Sequence, residues 1–189
     1  MRIAVLLALF LFGFQVSAVW GLSPEQWFEE GNRFSSEKKF EEAVKAYQKS
    51  ITANALSPVA HYNLGIAYKN LDQLDQAVKS LEKAVELEPE NMDMRVTLGN
   101  VYNRQRRWAD AIGQLNIVVH RKQGDAQAHG NLGWAYYNYK KGPPFKKVVI
   151  LNLSRAVQLF KEENLDEAAE ATQKILEEAR NKFGHSLIQ

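Results

Sequence analysis

The stretch that decides the fold is YNLGIAY, at residues 62–68. A near copy, GNLGWAY, occupies 130–136, and VTLGNVY lies halfway between them at 96–102. One further step toward the N-terminus reaches FEEGNRF at 28–34. The glycines of the four stretches are spaced by 34 residues, at Gly31, Gly65, Gly99 and Gly133. A fixed period of this length predicts a repeat architecture in which each unit is one supersecondary element.

Each unit reads as two helices joined by a turn. In the second unit the apolar stretch 62–68 is followed by KNLDQ at 69–73, and then by apolar residues at helical spacing from Leu74 to Leu87. Pro89 ends the unit. A glycine inside a helix costs up to about 1 kcal/mol, so its recurrence indicates close helix packing. We expect the glycine to leave room at the helix crossing and the aromatic residue three positions later to fill the adjacent volume.

The pattern large–x–x–Leu–Gly–x–x–Tyr, followed by alanines and a proline, resembles that of the tetratricopeptide repeat family. The second unit carries the pattern most fully, with Leu64, Gly65, Tyr68, Ala77, Leu81, Ala84 and Pro89. Departures are Glu30 in place of the leucine and Gln123 in place of the proline. The resemblance implies an all-α fold, a right-handed solenoid of helix–turn–helix repeats with a C-terminal capping helix. It predicts repeats at 24–57, 58–91, 92–125 and 126–160.

The fourth unit departs from the period after Tyr139. KKGPPFKK at 140–147 replaces a short turn, and the apolar residues that follow are displaced by four positions relative to the second unit. This indicates an insertion near 140–147, where Pro143 and Pro144 forbid a continuous helix. Beyond it, 163–183 is predicted to form a capping helix that is polar on its outer face, as solenoids require. The apolar side of this helix is expected to hold Leu165, Ala169, Thr172, Leu176 and Ala179. Residues 184–189 read as a tail.

The first residues have the order of a secretory signal peptide. Arg2 precedes an apolar run from Ile3 to Phe14, and small residues at Val16 and Ala18 precede a cleavage point after Ala18. The alternative is an uncleaved membrane anchor that extends to residue 22. Both interpretations predict export, to the periplasm, the cell envelope or the extracellular space, with membrane association if the segment is retained.

The composition leaves little that could carry chemistry. The chain has no cysteine and a net charge of +2, which argues against thiol chemistry and against nucleic-acid binding by charge alone. No phosphate loop, metal-ligand spacing or catalytic triad appears. His61 and His129 occupy equivalent places two repeats apart, which predicts packing rather than a shared metal. We therefore expect no catalytic activity, no metal and no cofactor.

In the family the first helices line a concave groove, and the resemblance implies groove positions beside each glycine. Asparagine recurs there, and its amide can pair with a peptide backbone without reading side chains. The expected contact residues are Asn63, Asn100, Asn131, Lys69, Asn103 and Arg104, with Trp134 and Tyr137 as apolar anchors. One branch of the family clamps a terminal carboxylate. Asn32 and Asn63 match its asparagine places, but its basic places here hold Phe28, Asp93 and Thr97.

The sequence therefore predicts a non-catalytic adaptor or scaffold that holds a partner protein or peptide in the concave groove, outside the cytoplasm. The first alternative is a self-assembling envelope or surface component, which would need exposed apolar surface at one end of the solenoid. An accessory subunit of an enzyme complex is a second alternative, for which no residue suggests a substrate. Basic clusters at 104–107 and 120–122, and the lysines of the insertion at 140–147, are expected to be solvated turns. The alternative is contact with acidic partners or with an anionic membrane surface.

Overall fold

The computed structural model describes residues 22–139 and 145–183. Within these residues the chain forms helices and no strands, so the predicted all-α fold is confirmed. The helices are α1 (Pro24–Ser36), α2 (Phe40–Ala53), α3 (Pro58–Asn70), α4 (Leu74–Leu87), α5 (Met92–Arg104), α6 (Trp108–Arg121), α7 (Ala126–Asn138), α8 (Lys146–Glu162) and α9 (Asp166–Phe183). The predicted signal segment, most of the insertion and the predicted tail lie outside the described residues.

The helices pack in sequential pairs, α1 with α2, α3 with α4, α5 with α6 and α7 with α8. Each pair packs on the next through α2–α3, α4–α5 and α6–α7, and α9 packs on α8. Contacts also join α1 to α3 and α5 to α7, so the first helices of successive repeats lie side by side. Such stacking of helix pairs is the arrangement of an α-solenoid, and it creates an extended surface lined by the first helices.

The first helix of every repeat begins at a side-chain cap. The cap oxygen accepts a hydrogen bond from the backbone N–H three residues later, which satisfies one of the free donors at the helix start. The capping residues are spaced by 34 positions: Ser23, Ser57, Asn91 and Asp125. The period seen in the glycines is therefore present at the helix starts as well.

The turn within the repeat has one residue in the left-handed conformation. Lys38, Asp72 and Arg106 have φ of 58–59°, and they too are 34 positions apart. In the second repeat the N–H of Asp72 donates to the carbonyl of Lys69 and that of Gln73 to the carbonyl of Tyr68. Asn164, between α8 and α9, has φ of 58° and the same pair of bonds. The helix α9 therefore follows α8 through the turn that joins the two helices of an ordinary repeat.

Each repeat glycine lies directly under a large side chain of its partner helix. A Cβ atom added at Gly65 or Gly99 would lie 2.6 Å from Cγ of Leu81 or Leu115, closer than carbon atoms approach. At Gly31 it would lie 2.4 Å from the ring of Tyr47, and at Gly133 it would lie 2.8 Å from Leu153. The apolar residues of α8 that are displaced by four positions relative to the second repeat are all buried: Val149, Leu153, Ala156, Val157 and Leu159. The glycines thus have the spatial role that the sequence predicts.

The aromatic residue three positions after the glycine packs in or against the core, and in three repeats it has a further role that was not predicted. Where this residue is a tyrosine, at 68, 102 and 136, its hydroxyl reaches the second helix of the preceding repeat, 20 residues earlier in the chain. Gln48 donates to Tyr68 at 2.8 Å, Tyr102 donates to Glu82 at 2.5 Å, and Asn116 donates to Tyr136 at 3.1 Å. Tyr68 also packs against two core clusters. The tyrosine therefore joins adjacent repeats rather than only filling space at the crossing inside one repeat.

The helix α9 covers the end of the solenoid with the apolar side that was predicted, apart from one residue. Ala169, Thr172, Leu176 and Ala179 are buried, whereas Leu165 is 48% exposed. Leu165 lies in the turn before α9, where its N–H bonds to the carbonyl of Phe160, so it does not share the packed face. No helix among the described residues is long and apolar enough to cross a bilayer.

The glycine contact gives a matched pair of substitutions in one repeat. Gly99→Ala forces a Cβ against Leu115, which is fully buried, and overpacking of this kind costs about 1–3 kcal/mol. Gly113 lies in α6 with no atom near its missing Cβ, so Gly113→Ala gains about 0.5–1 kcal/mol of helix propensity. Thermal unfolding should show a lower Tm for Gly99→Ala and a higher Tm for Gly113→Ala. Equal shifts of the same sign would contradict the packing argument.

Candidate functional site

The surface formed by α1, α3, α5 and α7 carries two asparagine pairs. Asn63 donates through Nδ2 to Oδ1 of Asn32 at 3.0 Å, and Asn100 donates through Nδ2 to Oδ1 of Asn131 at 3.5 Å. Both pairs join the residue after one glycine to the residue two before the next glycine. Between them the same places hold Ile66 and Thr97, so the row is interrupted in the middle. The predicted Asn63, Asn100 and Asn131 are thus brought into one row, in hydrogen-bonded pairs.

Asn103 and Asn131 form the most unusual polar group of this surface. Asn103 is only 6% exposed, and its Nδ2 donates to the backbone carbonyl of Asn131 at 2.9 Å. Its Oδ1 and the Nδ2 of Asn131 are both buried and have no hydrogen-bond partner among the described residues. Burial of a polar atom without a partner costs about 1–3 kcal/mol. The two amides therefore present one free acceptor and one free donor.

These two amides line a cavity of about 430 Å³, which we call the α9 pocket. Its walls come from α5, α7, the end of α8 and α9. The prediction of the site missed the walls from α8 and α9, which hold Phe160, Ala168, Ala171, Thr172 and Ile175. The one signal in the sequence was Thr172, a polar residue on the apolar side of the capping helix. Helix periodicity places it on the packed face but does not show that this face borders a cavity.

Lys69 and Arg104 are neighbours at the rim of the groove. Arg104 donates to the backbone carbonyl of Lys69 at 3.0 Å and forms an ion pair with Asp72 at 2.7 Å. Its guanidinium therefore joins the ends of α5 and α3. Burial lowers the pKa of the half-buried Lys69 ammonium, and the nearby charge of Arg104 lowers it further. Of the two predicted cations, Arg104 already has partners within the chain.

The two predicted aromatic anchors lie in different surroundings. The rings of Trp134 and Tyr137 are 5.9 Å apart. Tyr137 packs against α9, with the Lys182 ammonium 4.3 Å above its ring and Phe183 at 6.1 Å. Trp134 borders the α9 pocket and also a second cavity of about 640 Å³. Tyr137 is thus engaged in holding α9, whereas Trp134 faces the open groove.

The second cavity, which we call the edge cavity, lies beside the turn between α5 and α6. Two aromatic residues that the prediction did not include, Trp108 and Tyr139, line it together with Trp134. Arg106 and Arg107, members of the basic cluster at 104–107, also line it. Arg107 is paired with Asp110 at 2.7 Å and lies over the ring of Tyr102. The charges of Arg107 and Asp110 in this wall are therefore already paired with each other.

His61 and His129 have a structural role, because each contacts a backbone carbonyl in the loop before its helix. The Nε2 atom of His61 lies 3.0 Å from the carbonyl of Ala55, and that of His129 lies 3.1 Å from the carbonyl of Gln123. Arg95, at the equivalent place in the third repeat, donates to the carbonyl of Pro89 at 2.9 Å. Each side chain thus ties a first helix to the loop six residues before it. Within the described residues no cluster of histidine and carboxylate side chains could hold a metal.

Comparison with known families agrees with this geometry. Tetratricopeptide repeat models match residues 58–91 and 96–141, and a TPR repeat model matches residues 31–72. Together the matches cover more than half of the chain. The chain is a tetratricopeptide repeat protein. No curated protein sequence matches it.

Solved structures of other tetratricopeptide repeat proteins share this fold. MamA from Desulfovibrio magneticus RS-1, from residue 41 onward, has 20% identity and a TM-score of 0.69, over 89% of this chain and 99% of that one. YrrB, described as having an unusual peptide-binding site, has 18% identity and a TM-score of 0.62, over 82% and 86%. The first TPR domain of RPAP3, bound to an HSP90 peptide, has 21% identity and a TM-score of 0.57, over 60% and 90%.

The unpaired atoms make a prediction about stability. Asn103→Leu removes the hydrogen bond to the Asn131 carbonyl, worth about 0.5–1.5 kcal/mol, but it also removes a buried acceptor without a partner, which costs about 1–3 kcal/mol. The free energy of unfolding of the variant should therefore stay unchanged or rise by about 1 kcal/mol in a urea titration. A loss above about 1 kcal/mol would show that Asn103 mainly supports the fold.

Proposed function

We propose that this tetratricopeptide repeat protein is a non-catalytic adaptor that holds an extended peptide segment of a partner protein along the groove of its first helices. The observation that carries the proposal is the pair of buried, unsatisfied atoms, Oδ1 of Asn103 and Nδ2 of Asn131, which belong to two residues that line the α9 pocket. One residue of an extended peptide turns its own N–H donor and C=O acceptor to the same side, as in a hydrogen-bonded pair of an antiparallel sheet. Such a residue is therefore the complement of one free acceptor and one free donor.

The solved structures support a peptide as the class of partner. RPAP3 is bound to an HSP90 peptide, and YrrB is described by its peptide-binding site. The carboxylate-clamp form of recognition is not what we propose for this chain. Phe28, Asp93 and Thr97 provide no cation at the basic places of that clamp. Asn32 and Asn63, at its asparagine places, are hydrogen-bonded to each other. Main-chain recognition without a terminal carboxylate is therefore the proposed mode.

Selection from a random heptapeptide library on the immobilised protein, followed by calorimetry of the enriched peptides, tests the groove. Asn131→Ala combined with Asn103→Leu should weaken binding of these peptides at least tenfold, since a hydrogen bond to a buried partner is worth about 1–3 kcal/mol. The matched control is Asn181→Ala, on the exposed side of α9 outside both cavities. The control should bind like the wild type.

Equal affinity of the asparagine double variant and the wild type would contradict the groove proposal. In that case the peptides bind another surface, such as the outer face of the second helices. Circular dichroism of each variant keeps a loss of folding separate from a loss of binding. Concentration-dependent self-association of the wild type in size-exclusion chromatography, without any selected peptide, would instead favour the self-assembling component.

We also propose that the protein is exported through the segment at 1–18, on the sequence order of Arg2, the apolar run and Ala18. Mass spectrometry of protein isolated from its host should give an N-terminus at Val19, and fractionation should place it outside the cytoplasm. Retention of the segment with the protein in the membrane fraction would identify an anchor. Recovery of the uncleaved chain from the soluble cytoplasmic fraction would contradict export.

A further inference from the structure

The α9 pocket has an apolar side in addition to the two asparagines that line it. Phe160 at the end of α8 and Ile175 of α9 are half-buried in its wall, and Trp134 of α7 borders it as well. Ala168 and Ala171 complete the α9 side of the wall with small side chains. A volume of about 430 Å³ lies within the usual range of ligand pockets. The pocket therefore has room for more than a peptide unit.

The charges around the pocket narrow the class of side chain that it can hold. Within 22–139 and 145–183 no carboxylate lines it, so a lysine or arginine of the ligand would find no counter-charge among these residues. The charged residue that these ranges contribute to the wall is Arg104, whose guanidinium is paired with Asp72. A charged group moved into such surroundings loses its hydration without compensation. An apolar group, in contrast, gains free energy when its surface is removed from water.

We propose that the α9 pocket selects a large apolar side chain of the bound peptide, a leucine, methionine or aromatic residue next to the peptide residue whose backbone N–H and C=O pair with Asn103 and Asn131. The proposal rests on the proposed function and adds to it a rule for the partner's sequence. Ala168 and Ala171 determine the specificity because they leave the space that this side chain fills. The capping helix is thus part of the binding site as well as the end of the core.

The test uses the peptides enriched on the full-length wild-type protein and a second selection on Ala171→Trp. Ala171 is exposed on α9, so the indole fills the mouth of the pocket without disturbing the packed face. Asn181→Trp, on the same helix outside the pocket, is the matched control. We expect the wild type and Asn181→Trp to enrich peptides with a large apolar residue at one fixed position, and Ala171→Trp to lose that preference.

Calorimetry then compares one enriched peptide with its alanine-substituted form, on the wild type and on Ala171→Trp. For the wild type, alanine at the apolar position should weaken binding about tenfold or more, because a fully buried large side chain contributes about 1.5–3 kcal/mol. For Ala171→Trp the two peptides should bind with equal affinity. This inference alone is overturned if the preference for an apolar residue survives in Ala171→Trp. It is also overturned if peptides selected on the wild type depend on Asn103 and Asn131 but show no apolar preference. If no peptide is enriched on the wild type, both proposals are overturned.

Discussion

The close approach of two helices at each repeat glycine is the contact on which the rest of the structure depends. With no Cβ at Gly65 or Gly99, the branched end of a leucine from the second helix lies against the backbone of the first. Packing at this distance fixes the geometry with which the two helices cross. A small change in side-chain volume at the contact therefore disturbs the packing of the core. The chain preserves this contact even where its spacing changes. Leu153 covers Gly133 after four additional residues.

Once the pairs are fixed, their stacking determines which side chains face one another across repeats. The tyrosine hydroxyls reach the preceding second helix, and the asparagine beside one glycine reaches the asparagine before the next. The groove is thus a consequence of the same period that builds the core. Asn103 belongs to neither of the two asparagine pairs, and its amide bonds to the backbone of α7 instead of to another side chain. That bond leaves one acceptor free, next to the free donor of Asn131.

The repeat architecture could be predicted from the sequence because its cause is local. Contacts inside one repeat determine the position of the glycine, the position of the alanine after the turn and the spacing of the apolar residues. The N-terminal caps at Ser23, Ser57, Asn91 and Asp125, which the sequence prediction did not include, have the same period of 34 and an equally local cause. The groove residues were placed by resemblance, and Asn63, Asn100 and Asn131 do lie in one row.

The walls of the pocket could not be predicted in this way. They depend on the position of α9 relative to α7, which follows from packing between helices far apart in sequence. The left-handed turn at Asn164 directs α9 back along α8 and toward the groove, and no period in the sequence reports that path. Tyr137 illustrates the same limit, because its position in the repeat is that of a groove residue while α9 covers its ring.

The measurement that tests the account most directly is a nitrogen–proton correlation spectrum of the side-chain amides during titration with a selected peptide. A ligand carbonyl bound to Nδ2 of Asn131 should move the amide proton resonances of this residue to higher frequency, while those of Asn181 stay in place. The contrary result is a protein saturated with peptide in which the Asn131 resonances are unchanged and only resonances of the outer helices α4 and α6 shift. It would contradict the claim that the free amides of the groove hold the ligand.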